Sequence, residues 1–322
     1  DYYYGQLRTS ADAIDYTVGQ PEPARPDVSY KTDSTLSSSE YDYYGIYIQD
    51  LITFNPHWQL SIGGRYDKQN KEGADNESLL PKLGVMYHPH ANATIYASYS
   101  EGFEPQGSER LDNETDKNHN MKLDAITSEQ FEVGAKWQLF DDRLMLTGSL
   151  FDISKNGTLV SELVDHPDYD SITTQVGEQR HKGLELAAQG AVSDRFFVMA
   201  STMYLNAKYE RDENLEGKTP ADAPKWSASL WSRYELTEDL AFNAGVFYTG
   251  ERFADSDNLI EKDAYTRVDV GATYAMQLAG NDVDLRLNIE NLFDTDYLAG
   301  GGVNNVTVGE GTNFRLAAHV SF

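Results

Sequence analysis

The stretches Val283-Asp284-Leu285-Arg286-Leu287-Asn288-Ile289-Glu290 and Asn313-Phe314-Arg315-Leu316-Ala317-Ala318-His319-Val320-Ser321-Phe322 decide how this chain folds. In the first, Val283, Leu285, Leu287 and Ile289 share one parity and the polar residues share the other. In the second, Phe314, Leu316, Ala318, Val320 and Phe322 alternate with Asn313, Arg315, Ala317, His319 and Ser321. Successive side chains of a β-strand point to opposite faces, so each stretch reads as a strand with one apolar and one polar face. The pattern recurs in Val268, Val270, Ala272 and Tyr274 against Arg267, Asp269, Gly271 and Thr273. It recurs again in Phe131, Val133, Ala135 and Trp137 against Gln130, Glu132, Gly134 and Lys136. Helical spacing of apolar residues is sustained nowhere.

Working outward gives roughly 14 strands, many of them as long as the ~9–11 residues that a tilted membrane strand requires. The expected spans are 1–8, 41–54, 58–69, 79–88, 92–103, 127–139, 143–156, 175–190, 195–210, 225–235, 239–252, 264–276, 282–291 and 312–322. Their connections alternate strictly in length. Short ones include Asn55-Pro56-His57, Phe140-Asp141-Asp142, Val192-Ser193-Asp194 and Thr237-Glu238. Long ones fall at 9–40, 70–78, 104–126, 157–174, 211–224, 253–263 and 292–311. Short turns on one side and long polar loops on the other are the signature of an antiparallel transmembrane β-barrel, all-β in class.

Composition narrows the function. With 26 Lys+Arg against 52 Asp+Glu, the net charge of −26 excludes a nucleic-acid binder that works by neutralising phosphates. The absence of cysteine removes disulfide scaffolds, thiolate zinc sites, iron–sulfur clusters and thiol catalysis together. No window approaches the ~18 apolar residues of a spanning helix. The opening Asp1-Tyr2-Tyr3-Tyr4 lacks the basic and apolar regions of a secretion signal. Aromatic residues gather towards strand ends (Tyr43, Tyr44, Trp58, Tyr66, Tyr87, Tyr99, Trp137, Trp226, Tyr234, Tyr248 and Tyr274 among them), as in the girdles at the two lipid–water interfaces.

A series of short motifs runs along the chain: Pro81-Lys82-Leu83-Gly84-Val85, Tyr96-Ala97-Ser98-Tyr99-Ser100-Glu101-Gly102-Phe103-Glu104-Pro105-Gln106, and Ser128-Glu129-Gln130-Phe131-Glu132-Val133-Gly134-Ala135-Lys136. Gly183-Leu184-Glu185-Leu186 and Asn291-Leu292-Phe293-Asp294-Thr295-Asp296-Tyr297 follow, and an alternating strand ends on Phe322. In this order they resemble the motifs of TonB-dependent ferric-siderophore receptors. The resemblance covers the C-terminal part of such a barrel. It implies about 22 strands in the whole wall, with the first strands, the N-terminal plug domain and the energy-coupling box having no counterpart here.

What the resemblance implies about function follows from the same comparison. The protein would be a monomer in the bacterial outer membrane, facing lipid and lipopolysaccharide outside. It would import a ferric siderophore with energy from TonB, contacted through the N-terminal region. It would carry no cofactor, ferric iron entering only as part of the chelate. The long loops would be extracellular. Candidate substrate-binding residues near that end are Tyr3, Tyr43, Phe103, Gln106, Tyr209 and Phe253. The polar parity gives a charged lumen wall including Arg233, Arg267, Arg286, Glu290 and Arg315, while Leu285, Leu287, Ile289, Leu316 and Val320 meet lipid.

Other readings compete. A haem receptor of the same fold would place a histidine in a mouth loop, for which His119 and His166 are available. A self-contained barrel could instead be a passive diffusion channel. Catalysis would need Asp165-His166, or Glu178 with His181, to meet Ser161 or Ser171, and no spacing fixes them in one geometry. His88-Pro89-His90 reads as turn chemistry before chelation. Asp112, Glu114 and Asp116 lack the glycine and closing glutamate of a calcium loop. No metal site is expected.

Overall fold

The computed structural model describes residues 41–71, 74–105, 110–302 and 305–321. The expected strand 1–8, loop 9–40 and the terminal Phe322 lie outside them. In chain order the strands are β1 (Tyr41–Asn55), β2 (Trp58–Lys71), β3 (Ala74–His90), β4 (Ala93–Glu104), β5 (Ile126–Leu139), β6 (Leu144–Leu163), β7 (Ser171–Ser193), β8 (Phe196–Arg211) and β9 (Trp226–Glu235). They continue with β10 (Leu240–Thr249), β11 (Arg252–Phe253), β12 (Glu261–Lys262), β13 (Tyr265–Leu278), β14 (Asn281–Glu290), β15 (Leu298–Gly302), β16 (Asn305–Val308) and β17 (Asn313–Ser321).

Thirteen of these form one sheet in the order β1 to β10, then β13, β14 and β17, every neighbour antiparallel. This is the next-neighbour meander that the sequence predicts. Among the described residues no helix is long and apolar enough to cross a membrane, so any crossing falls to the strands.

The register settles which residues share a face. Leu287 pairs with Leu316, Leu285 with Ala318, Val283 with Val320 and Ile289 with Phe314. Arg286 pairs with Ala317, Asn288 with Arg315 and Asp284 with His319. A slip of one residue would carry every one of these side chains to the other face. The apolar face remains open: Leu316 is 78% exposed and Leu287 40%. Such a face needs hydrocarbon as its solvent. The rings of Trp58 and Tyr87 pack at 4.8 Å, those of Tyr99 and Phe131 at 4.7 Å, and those of Tyr204 and Trp226 at 5.0 Å, all on this outer face.

Two expected loops are largely strand. β6 and β7 run to Leu163 and from Ser171, so the connection shrinks from 157–174 to 164–170. β2 and β3 likewise absorb most of 70–78. β7 has 23 residues, about twice what crossing the hydrocarbon takes. Val160, Ile172, Thr173, Thr174 and Val176 have the branched side chains that favour strand. Irregularities on either side of Thr158 keep β6 in pairing, and there Gly157 takes φ +82. A residue with a Cβ would be strained in that conformation. Loops 253–263 and 292–311 also hold short hairpins of their own, β11–β12 and β15–β16.

Candidate functional site

The polar face of the wall is built from charges two residues apart on one strand. Arg65 reaches Asp67 at 2.7 Å, Arg233 reaches Glu235 at 3.4 Å, Arg267 reaches Asp269 at 3.0 Å and Arg286 reaches Asp284 at 3.8 Å. The period of two places each pair on a common face. Arg315 instead crosses to Glu290 on the neighbouring strand at 3.4 Å. Arg233, Arg267, Arg286, Glu290 and Arg315 therefore all stand opposite the Leu287 and Leu316 face. Asp67 is buried, but the other pairs are open enough to solvent to contribute about 0–1 kcal/mol each, which leaves most of the wall with exchangeable charge.

The long-loop end is organised differently, around buried polar groups. Asp222 accepts hydrogen bonds at one oxygen, Oδ1, from Arg252 Nε at 2.9 Å and from Lys262 Nζ. Arg252 also donates to the carbonyl of Leu298, and Lys262 to that of Gly301 at 2.7 Å. The two cationic side chains are 3% and 1% exposed. Loops 212–225, 250–264 and 291–312 thereby meet at one carboxylate. Burial works to raise the Asp222 carboxyl, but the bonds from Lys262 and Arg252 outweigh it and hold it below its ordinary value. The Arg252 guanidinium lies 5.6 Å from the centre of the Tyr265 ring, which stacks on Tyr297 at 4.2 Å.

The motif around Asn291 belongs to this cluster. Asn291 is 1% exposed; its amide donates to the carbonyls of Thr295 and Glu310, and its backbone N–H donates to Asp269. Across the cluster, Asn258 exchanges two bonds with the backbone of Thr219, at 2.8 and 2.7 Å. The segment 110–122 has a separate anchor. Asp116 accepts from the hydroxyls of Ser171 and Thr173 and from the backbone N–H groups of Thr173 and Asn118, at 2.7–3.1 Å. Four donors around one carboxylate give Asp116 a structural partner set in place of a calcium ion.

The candidate binding residues are scattered. Tyr3 and Gln106 lie outside the described residues. Tyr43 donates to Asp67 at 2.7 Å and accepts from Arg65 at 2.7 Å, at the β1 edge of the sheet. Phe103 pairs with Thr127 and shares the parity of Ile95 and Tyr99, so it stands on the outer face, turned away from the charged wall. Tyr209 reaches the loop that carries Phe253, its hydroxyl lying 3.0 Å from Ser256. Phe253 lines a cleft of about 380 Å³ with Trp226, Tyr248 and Arg252. Sequence reasoning missed Asp222, Arg252 and Lys262, whose partners lie 30 and 40 residues away. Asn291 was signalled by its motif.

The sequence matches the family described as TonB dependent receptor-like, beta-barrel, over residues 1–292. The chain belongs to that family. Members are β-barrels of the Gram-negative outer membrane, and the apolar outer face described above meets that bilayer. Among curated relatives, the ferrioxamine receptor of Yersinia enterocolitica is 30% identical over 83% of this chain and 38% of its own length. The probable TonB-dependent siderophore receptor PiuA of Acinetobacter baumannii is 29% identical over 93% of this chain and 42% of its own. The crystal structure of PiuA superposes with a TM-score of 0.74 at 27% identity, covering 88% of this chain and 43% of that one. The chain thus spans less than half the length of these relatives.

Proposed function

We propose that this chain is the C-terminal part of the barrel of a longer TonB-dependent receptor, one that binds a ferric siderophore at its outer mouth and imports it. One observation carries the reading: 83–93% of the chain aligns with proteins named as siderophore or ferrioxamine receptors. The wall fits such a role, because weak, exchangeable ion pairs suit a polar plug that must leave the lumen during each cycle. The tied loops at the long-loop end form the mouth, with Tyr209 and Phe253 as the binding aromatics and Tyr43 at the far edge. Energy would come from TonB acting on the plug. Lipopolysaccharide and outer-membrane lipid would surround a monomeric barrel.

The family consists of receptors and transporters, and this chain is assigned no catalysis and no resident cofactor. The deciding experiment is iron-limited growth of a strain lacking the intact receptor, fed single siderophores, with and without functional TonB. Growth on at least one ferric siderophore should require both proteins. Loss of growth on haem alone would favour the haem receptor, and uptake that persists without TonB would favour a passive channel.

A further inference from the structure

The outer face changes character along β7 and β8. On β7 its parity includes Val192, Ala188, Leu186 and Leu184, and on β8 Val198, Ala200 and Tyr204. Each run is about as long as the ~9–11 residues that cross hydrocarbon. It ends where Leu184 pairs with Tyr204, beside the Tyr204 and Trp226 ring contact. Both strands continue past that level, and the same face then carries Lys182, Arg180 and Glu178 on β7 and Asn206, Lys208 and Arg211 on β8. With the long loops outward, this is the level of the outer-leaflet headgroups.

The charges there are unevenly matched. Arg180 stands directly opposite Lys208, and like charges so placed destabilise a sheet. Asp152 takes Arg180 at 2.7 Å and reaches Lys182 only at 3.6 Å, while Glu178 is held by Arg211 at 2.6 Å. Lys208 is exposed and makes no ion pair among the described residues. Counting Glu210 as well, four cations meet three carboxylates, in a chain with 26 Lys+Arg against 52 Asp+Glu. The other acids of this belt, Glu101 and Glu129, face each other further along, on β4 and β5. Beneath the belt the outer face is indented. Ala97 lies between Val85 and Val133, and an apolar groove of about 480 Å³ runs over them, bordered by Tyr99 and Phe131 and reaching Asp152. Asp152 thus joins an apolar groove to a cationic belt.

We propose that this stretch of the outer face, from β3 to β8, holds one lipopolysaccharide molecule, with a phosphate between Lys182 and Lys208 and an acyl chain in the groove over Ala97. The two lysines are diagonal neighbours, about 7–8 Å apart at Cα, so their ammonium groups can share one phosphate. Arg180, fixed by two bonds to Asp152, adds its charge. Lipid binding grows with the apolar area covered and with attraction between charges, and both are present here. The proposal rests on the outward-loop barrel of the proposed receptor and not on the identity of its cargo.

The test uses the intact receptor refolded in detergent and three probes: lipid A with both phosphates, its dephosphorylated form, and phosphatidylglycerol. Native mass spectrometry counts the lipid retained. The wild type should keep one phosphorylated lipid A and bind the other two probes about tenfold more weakly. Lys182→Gln combined with Lys208→Gln should weaken phosphorylated lipid A about tenfold. Ala97→Phe, which fills the groove, should weaken both forms of lipid A by a common factor. Unchanged retention in these variants, or phosphatidylglycerol bound as well as lipid A, overturns the site. Heat-modifiable gel mobility reports folding; if the double variant fails to fold, each single lysine variant must lose about threefold. A receptor that holds lipid A but imports no ferric chelate keeps this site and overturns the siderophore reading. Import without any preference for lipid A overturns the site alone.

Discussion

Leu287 and Leu316 face each other across β14 and β17 and remain 40% and 78% exposed, whereas Lys262, in a loop, is 2% exposed. The wall turns its apolar residues outward and satisfies its backbone by strand pairing, the condition for standing in hydrocarbon. The loop cluster buries charge and amide groups and satisfies them side chain to backbone. The wall's stability is therefore spread over many equivalent pairings, while that of the loops is concentrated in a few groups. Removing one group should matter little in the first region and much in the second.

The sharpest way to break that contrast is Asp222→Ala. It strands the buried Arg252 and Lys262 without the carboxylate they share, and a buried charge left uncompensated costs about 3–5 kcal/mol. The loss should stay local. Hydrogen exchange should accelerate at 219–222, 252–262 and 298–302 while the amides of β9, β10 and β13 keep their protection. Exchange rising uniformly over wall and loops would show that the two regions are not separate.

Leu287→Arg tests the wall in the same range. An arginine at the bilayer midplane of a barrel's lipid face costs about 2–4 kcal/mol. Asn288→Arg, one residue on, points to the charged face and should cost little. Urea titration of refolding into liposomes reads both variants. Equal losses would mean that the two faces are not what the register says.

This contrast also explains what could be read from sequence. Alternation is a local property, so the register of β14 against β17 was legible from Val283 to Glu290 and from Phe314 to Val320. The charged face followed from the same parity. The loop cluster has no period. Nothing near Arg252 announces Asp222, and nothing near Lys262 announces Gly301, because each contact forms only once the strands have brought distant loops together. The polar run from Ser171 to Thr174 read as loop for a related reason: its hydroxyls bind Asp116 on another segment, which lets a polar stretch pair as strand. Asn291 is the exception, since its partners Thr295 and Asp269 lie close in sequence or along the neighbouring strand.

Asp116 offers a smaller effect with a defined pH sign. Burial works to raise its carboxyl, but the bonds from Thr173, Asn118 and Ser171 prevail and hold it below the ordinary 3.8. A folded-state value that is depressed stabilises above the unfolded value and is lost as pH falls through the folded one. Protection of the Asn118 and Thr173 amides should thus be level from pH 8 to pH 5 and collapse only below about pH 4. Asp116→Ala should remove that acid step and cost about 1–3 kcal/mol locally, the price of unpaired donors. A step near neutral pH would point to another group.

The smallest expected effect lies at the short-turn end. Phe140, Asp141 and Asp142 take φ of 55°, 55° and 65° in succession. The left-handed region costs an L-residue about 1–2 kcal/mol, less for aspartate than for most. The turn is held by Arg143, which donates to the Phe140 carbonyl at 3.0 Å and reaches Asp194 at 2.5 Å. Asp142→Gly relieves the Cβ clash but gives the unfolded chain more freedom, worth about 0.4–1 kcal/mol against folding. The difference should leave a gain of about 0.5 kcal/mol, read as a higher urea midpoint at unchanged slope. Asn258 sets the contrast in the loops. It stands at φ 58°, yet its amide holds Thr219 from both sides, so glycine there loses bonds that outweigh the relieved strain. If Asp142→Gly lowers the midpoint, the turn is not strained, and backbone conformation at this end contributes as specifically as side-chain bonding does in the loops.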